Sequence, residues 1–487
     1  MNLMTPRFAF PDVLPNPCGA RVFTAEAALS DVNIALSGSG HDGITSALLR
    51  AAQALREAGW QPAVRFVNTL LLASPFMAGD ATPTPSADAA SMRVRFTGAL
   101  QEFRAALARG NLRELACSPV LFARQRALCD ALAPYAPGFS LTFADVALAG
   151  RIVLPAMLPT PSTATLAALR ARYEAALLPV LRMPIRAEQN KDIGAGQADI
   201  QMDAACDELN ACLAELASAH PYDFWRLAAA CARACHNVQD DALRHRFYAH
   251  CNLALIEHTQ GQRLAPQSLV RETLALLWRA VALSDAAAQD AESVEVLHDY
   301  GLTVQSRAMD EELSGTLRLR ETGKTDAPQT GSATRCEPGV LSVDADAHKN
   351  FLRIADTAMA TLLGVQHVQA QSGIRMDDAC RAAEAAYRLG ASALTLGLGH
   401  VALLAESLGL AWRLTAHVQT ASNAAAHSAS GTLRGGAPDA VALKQAGTSL
   451  QTMLLKVAAG VAQPDAAGAL AALGEALGRV SGQFAAY

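Results

Sequence analysis

The chain has 487 residues, 51% of them hydrophobic but only 5% aromatic, and a formal charge of −5. That length exceeds what one hydrophobic core usually serves and suggests two to four domains, with about three as the working number. The weak net charge and the lack of a dense Lys/Arg cluster interleaved with aromatics argue against nucleic acid as a partner, and the Ala/Leu-rich composition favours all-α packing over any β architecture.

The N-terminal stretch MNLMTPRFAFPDVLPNPCG has no unbroken apolar run of signal-peptide length, so a cytoplasmic protein is expected. The next segment shows apolar stripes at helical spacing, Ile44, Leu48, Ala51 and Leu55, then Phe96, Leu100, Phe103 and Leu107. This predicts an N-terminal helical bundle over residues 20–155. The turn Gly59-Trp60-Gln61-Pro62 should separate two of its helices, with Trp60 in the core.

Polar stretches rich in Pro, Gly and Ser at 158–165 and 320–339 mark domain boundaries, whereas those at 75–91 and 422–438 read as loops within domains. The middle domain, 160–315, opens with Leu166, Leu169, Tyr173, Ala176, Leu177 and Val180 on one helix face. Further helices are predicted over Asp207–Leu216, Phe224–Cys235, Asp241–Thr259 and Leu264–Val281. No phosphate loop, nucleophile elbow or zincin motif occurs in it.

Ten cysteines lack the spacing of a disulfide framework. Cys231, Cys235 and His236, followed by His245, His250 and Cys251, come nearest to a metal constellation. The surrounding FWRLAAACARAC is an Ala-rich packing pattern, so these thiols are expected to fill core space, with no metal and no cofactor. Asp377-Asp378 and Glu311-Glu312 are adjacent rather than one turn apart and make poor acid/base pairs.

After a linker at 316–340, five apolar stripes predict a four-helix bundle plus a terminal helix over 341–487. They run through Phe351, Ile354, Ala358, Leu362 and Val365; Ala379, Ala382, Ala386, Leu389, Ala393 and Leu396; Val401, Leu404, Leu408 and Ala411; Leu443, Ala446, Leu450, Met453 and Val457; and Leu470, Leu473, Leu477, Val480 and Phe484. The most apolar stretch, Ala391 to Leu414, carries His400, Glu406 and Arg413, which favours a buried helix pair over membrane insertion.

Residues 385–408, AAYRLGASALTLGLGHVALLAESL, resemble the signature of histidine phosphotransfer domains, in which AAH, a Leu, Lys-Gly, a small pair and LGL precede a Leu/Ala-rich helix. Without a gap, Tyr387 falls where that family has its phosphorylated His, Gly390 where the Lys stands, Ala391 at the Gly and Ser392 at a Ser or Ala. Leu396, Gly397 and Leu398 take the LGL. A phenol forms a far less labile ester than a phosphoramidate, and losing the Lys removes a cation near the phosphoryl oxygens. The resemblance therefore implies a degenerate phosphotransfer-like bundle with no catalytic residue. Tyr387 lies about 100° off the Ala386 stripe and is expected to be partly accessible. Tyr387, Arg388, Gly390, Ala391 and Ser392 would then form a partner-binding face.

RARYEAALLPVLR, DFWRLAAACARAC and LVRETLALLWRAV in the middle segment, and more weakly FRAALARGNLREL before it, resemble the FimL family and the N-terminal part of ChpA. That likeness implies a scaffold rather than an enzyme, in the chemosensory system that controls type IV pili, twitching motility and cyclic-AMP signalling. It also implies three partners: a response-regulator receiver domain, a polar hub protein and an adenylate cyclase. Recruitment to the cell pole would follow. Two other readings stay open at this point: a working phosphotransfer protein using His400 or His417, and a metal-dependent hydrolase built on Cys231, Cys235 and His250.

Overall fold

Gly59, at φ 80°, breaks the chain between two apolar helices, and Pro62 sits in the first turn of the second, where its missing N–H costs nothing. In the computed structural model these are α2 (His41–Glu57) and α3 (Gln61–Ala73), and Trp60 between them is buried as expected. The structure describes residues 13–15, 19–37, 41–77, 87–109, 112–135, 141–159, 161–182, 196–235, 241–283, 290–304, 342–372, 374–425, 437–460 and 466–485. The expected linker at 316–340 lies outside them, as do the side chains of Val480 and Phe484.

Among the described residues the fold is all-helical, with several bundles, apart from one short antiparallel pair. In it β1 (Val13–Pro15) meets β2 (Ser342–Asp344), with Leu14 opposite Val343. In the first bundle α1 (Gly19–Ser37) packs on α2, and α3 packs on α2 and on α6 (Pro119–Leu132). The long α4 (Ala87–Arg109) lies on α6, and the short α5 (Leu112–Cys117) follows it. The predicted stripes Ile44, Leu48, Ala51, Leu55 and Phe96, Leu100, Phe103, Leu107 are all buried, and the Phe66 and Phe103 rings stack at 4.5 Å.

The next helix, α7 (Phe143–Ala147), starts in a reciprocal cap in which Thr142 and Asp145 satisfy each other's backbone N–H groups. It packs on both the first bundle and the middle segment. The 158–165 boundary is likewise preceded by chain that belongs to that segment. Met157 N–H donates to Tyr222 O at 2.6 Å and Phe224 N–H to Met157 O at 2.8 Å, while Leu158 N–H donates to Arg263 O at 2.8 Å. The middle segment comprises α8 (Thr163–Arg182), α9 (Gly196–Leu216), α10 (Phe224–Cys235), α11 (Asp241–Thr259), α12 (Gln267–Leu283) and α13 (Ala291–Asp299). The six-residue stripe of α8 is buried throughout, and Tyr173 donates its hydroxyl to Tyr248 O.

The C-terminal helices are α14 (Ala345–Ser372), α15 (Met376–Thr395), α16 (Gly399–Ala425), α17 (Ala440–Ala458) and α18 (Ala467–Ala485). Helix α14 begins directly after Asp344, α15 packs on both α14 and α16, α17 closes the ring against α14 and α16, and α18 covers α16 and α17. His348 Nε2 donates to Val457 O inside this bundle. Leu396-Gly397-Leu398 forms the turn between α15 and α16, with Gly397 at φ 71°, a conformation that suits glycine. The buried side chains of all three segments merge into one continuous apolar core. Among the described residues no helix is long and apolar enough to cross a membrane.

Leu389 is fully enclosed on α15, whereas Leu455 on α17 is 65% exposed. Leu389→Asp should cost about 3 to 5 kcal/mol, the range for an uncompensated buried charge, and Leu455→Asp should stay within about 0.5 kcal/mol of wild type. Urea denaturation of both variants checks this; equal losses would mean that α15 presents a different face to the core.

Candidate functional site: the junction around Tyr387

The residues expected to form an accessible face do not form one. Tyr387 is only 3% exposed, and its hydroxyl donates to the backbone carbonyl of His298, on α13, at 2.6 Å. The His298 ring lies 4.9 Å from the Tyr387 ring. Being 100° off the Ala386 stripe does not bring Tyr387 to solvent, because the middle segment covers that side of α15 too. Helix α16 approaches closely at Gly409, where a Cβ would stand 2.4 Å from Tyr387 Cε1. Gly390 is enclosed for a similar reason: a Cβ there would lie 2.9 Å from Glu406 Cγ. Ala391 and Ser392 are buried, and Ser392 donates its hydroxyl back to Arg388 O. Arg388 alone faces outward, paired with Glu384 at 2.8 Å.

What surrounds Tyr387 is instead a charged junction between the middle segment and the C-terminal bundle. Its centre is Asp299, the last residue of α13, with no exposed surface. Arg413 Nε donates to Asp299 Oδ1 at 2.7 Å and His417 Nε2 donates to the same oxygen at 3.0 Å, both from α16. Arg226, on α10, reaches Oδ2 at 3.2 Å. One turn back on α13, Glu295 takes a second contact from each guanidinium, 3.1 Å from Arg226 and 3.0 Å from Arg413. Tyr222 stands edge-on to both Tyr300 and His417.

Electrostatics follow from this enclosure. Burial works to lower the Arg413 pKa, but Asp299 beside it more than reverses the effect and holds it above its ordinary value. Burial, and then the nearby Arg413 charge, push His298 down from 6.5 to about 4, so it is neutral in the folded protein at neutral pH. Burial raises the Tyr387 phenol well above its usual range, which leaves it a hydrogen-bond donor and not a phenolate.

A second polar joint lies further along α16. Glu406 is buried between Thr303, whose hydroxyl donates to Oε1 at 2.6 Å, and Arg151, whose Nη1 meets Oε2 as an ion pair at 2.7 Å without a well-directed N–H. Arg151 also lies over the Trp278 ring at 4.9 Å. At the start of α16, His400 Nε2 donates to Glu57 O at the end of α2. Both histidines weighed as alternative phosphoryl acceptors are thus engaged in joints between segments.

The thiols of Cys231 and Cys235 lie 3.7 Å apart within the core, and burial holds Cys231 well above its usual value. His250 points elsewhere, into a groove beside Glu272. His236 lies outside the described residues, among which no three His, Cys, Asp or Glu side chains converge as metal ligands would. Asp377 and Asp378 occupy the first turn of α15, where negative charge suits the helix dipole.

No protein-family model, no curated protein and no solved structure matches the chain. The junction stands on its own geometry. Asp299, Arg226 and Gly409 were not anticipated from sequence; the three polar residues in the apolar run of α16 were the available signal.

Asp299→Asn keeps the shape but leaves two partly buried guanidiniums short of charge, and should cost about 3 to 5 kcal/mol in urea denaturation. A loss under about 1 kcal/mol, the value of an exposed pair, would show that solvent already screens this joint. The pH dependence has a definite sign. Between pH 6.5 and about 4 unfolded His298 binds a proton that the folded residue refuses, so its contribution to stability is lost as pH falls through that window. The loss should reach on the order of 3 kcal/mol by pH 4. His298→Gln should flatten the pH profile of the melting temperature between 6.5 and 4, and an unchanged slope would contradict this account.

Proposed function

We propose that the chain is a non-catalytic scaffold with a degenerate phosphotransfer-like bundle, and that it acts in the cytoplasm and at the cell pole within a chemosensory system governing type IV pili and cyclic-AMP signalling. The observation that supports the absence of phosphotransfer is the enclosure of Tyr387. The position equivalent to the phosphorylated His is covered by α13 and α16, and its hydroxyl is already donated to His298 O. An incoming receiver domain would have to displace the middle segment to reach it. Gly390 points the same way: a Lys there would place its Cβ 2.9 Å from Glu406 Cγ, so the side chain of Glu406 would have to shift to admit the cation that the signature carries.

The system and the partners rest on the likeness of the middle segment, and more weakly of the first, to the FimL family. A receiver domain, a polar hub protein and an adenylate cyclase would dock on outer surfaces rather than on the face around Gly390 and Ala391, which is internal. The chain would then bring partners together through a rigid helical body.

The test presents the purified full chain to a cognate kinase with labelled ATP, and separately to phosphorylated receiver domains, alongside pull-downs of receiver, hub and cyclase. The expected outcome is specific capture of at least one of these with no acid-labile label on the chain. Acid-labile phosphate accumulating as fast as on a true phosphotransfer domain would overturn the reading, and capture of none of the three would remove its partner half.

A further inference from the structure

On the far side of the middle segment a groove of about 390 Å³ opens between the start of α7, α11 and α12. Its polar wall holds Arg246, His250, Arg271 and Glu272, and Leu253, 57% exposed, forms an apolar rim. The volume falls within the range of small-molecule sites, which pair apolar lining with a few converging polar groups. Nothing in the scaffold reading uses this groove.

The charges in it are not all equivalent. Glu272 is engaged at both oxygens, by Arg246 Nε at 3.2 Å and by His250 Nδ1 at 3.1 Å. Asp145, on the same wall, has Oδ2 occupied by the Thr142 amide and hydroxyl at 3.1 and 2.8 Å. Arg271 is half-buried and has no acidic partner among the described residues. The unmatched groups are therefore the Arg271 guanidinium and, in the neutral His250 tautomer that donates Nδ1–H to Glu272, the Nε2 lone pair. Glu257, at the exposed edge, is the remaining free carboxylate.

A guanidinium and an accepting imidazole nitrogen lining one groove suit an anion that brings its own proton. A carboxylate offers none at neutral pH. A phosphate monoester, whose second pKa is near 6, keeps a protonated fraction at neutral pH, and that form presents P–O⁻ to the guanidinium and P–OH to the imidazole. We infer that the groove binds a small phosphate monoester with an apolar body, its phosphate held by Arg271 and His250 Nε2 and its body resting on Leu253 and Leu269. This inference is independent of the scaffold proposal, since it requires neither a partner protein nor any property of Tyr387.

Isothermal titration of the full chain with phenyl phosphate tests it. Saturable one-to-one binding is expected, weakened about tenfold or more by Arg271→Gln, the scale for losing a charged hydrogen bond, and also weakened by His250→Ala. Both variants should keep the wild-type melting temperature. Glu257→Gln should bind no more weakly than wild type, and phenylacetate and benzylamine should bind about tenfold or more weakly than phenyl phosphate. On the wild-type chain, added salt should weaken binding, a readout that survives if either variant folds poorly. The absence of saturable binding, equal affinity in Arg271→Gln, or a preference for benzylamine would each overturn the assignment.

Discussion

A carboxylate with no exposed surface can remain charged only if the protein supplies compensating cations, and Asp299 draws its cations from two different parts of the chain. Arg226 comes from α10, a neighbour of α13 within the middle segment, whereas Arg413 comes from α16, more than a hundred residues later, with His417 hydrogen-bonded to the same carboxylate. The C-terminal bundle cannot separate from the middle segment without leaving these charges unmatched. Glu406 imposes the same condition where Arg151 and Thr303 meet α16, and His400 ties its first turn to α2. Helix α16 is thus the shared wall of three segments, and its polar residues fix their relative registers.

The packing around Tyr387 depends on small residues placed where two helices must come close. With Gly409 opposite, the phenol ring fits between α15 and α16, and with Gly390 the stem of Glu406 can cross α15 on its way to Arg151. The space that these small residues leave is filled from within, by His298 on one side and by α16 on the other.

Much of the helical plan was legible because period-3.6 stripes report burial directly. The α8 stripe from Leu166 to Val180 and the α15 stripe from Ala379 to Leu396 are buried at every position, and the helices Phe224–Cys235 and Asp241–Thr259 have the predicted ends. The accessibility of Tyr387 was not legible. A stripe identifies the face toward the first neighbour, but a helix enclosed by two bodies buries a second face, and nothing local in AAYRLGA signals that α13 will lie there. Asp299 was equally silent, since an acidic residue at a helix end ordinarily reads as solvated. The one long-range hint was His400, Glu406 and Arg413 in an otherwise apolar run: charges that survive in such a stretch have partners elsewhere in the fold.

The molecule's ion pairs divide by how easily they can be exchanged for something else. Arg172 bridges Glu208 and Glu215 on the surface of α8 and α9, with all three side chains about half exposed. Pairs of this kind contribute about 0 to 1 kcal/mol and can give way to contacts with another molecule at little cost. The Asp299 and Glu406 clusters cannot, because breaking either strands a buried charge. A body whose internal joints resist exchange while its outer pairs do not keeps its shape as its surfaces are engaged, and that is the mechanical requirement for holding several partners at fixed spacing.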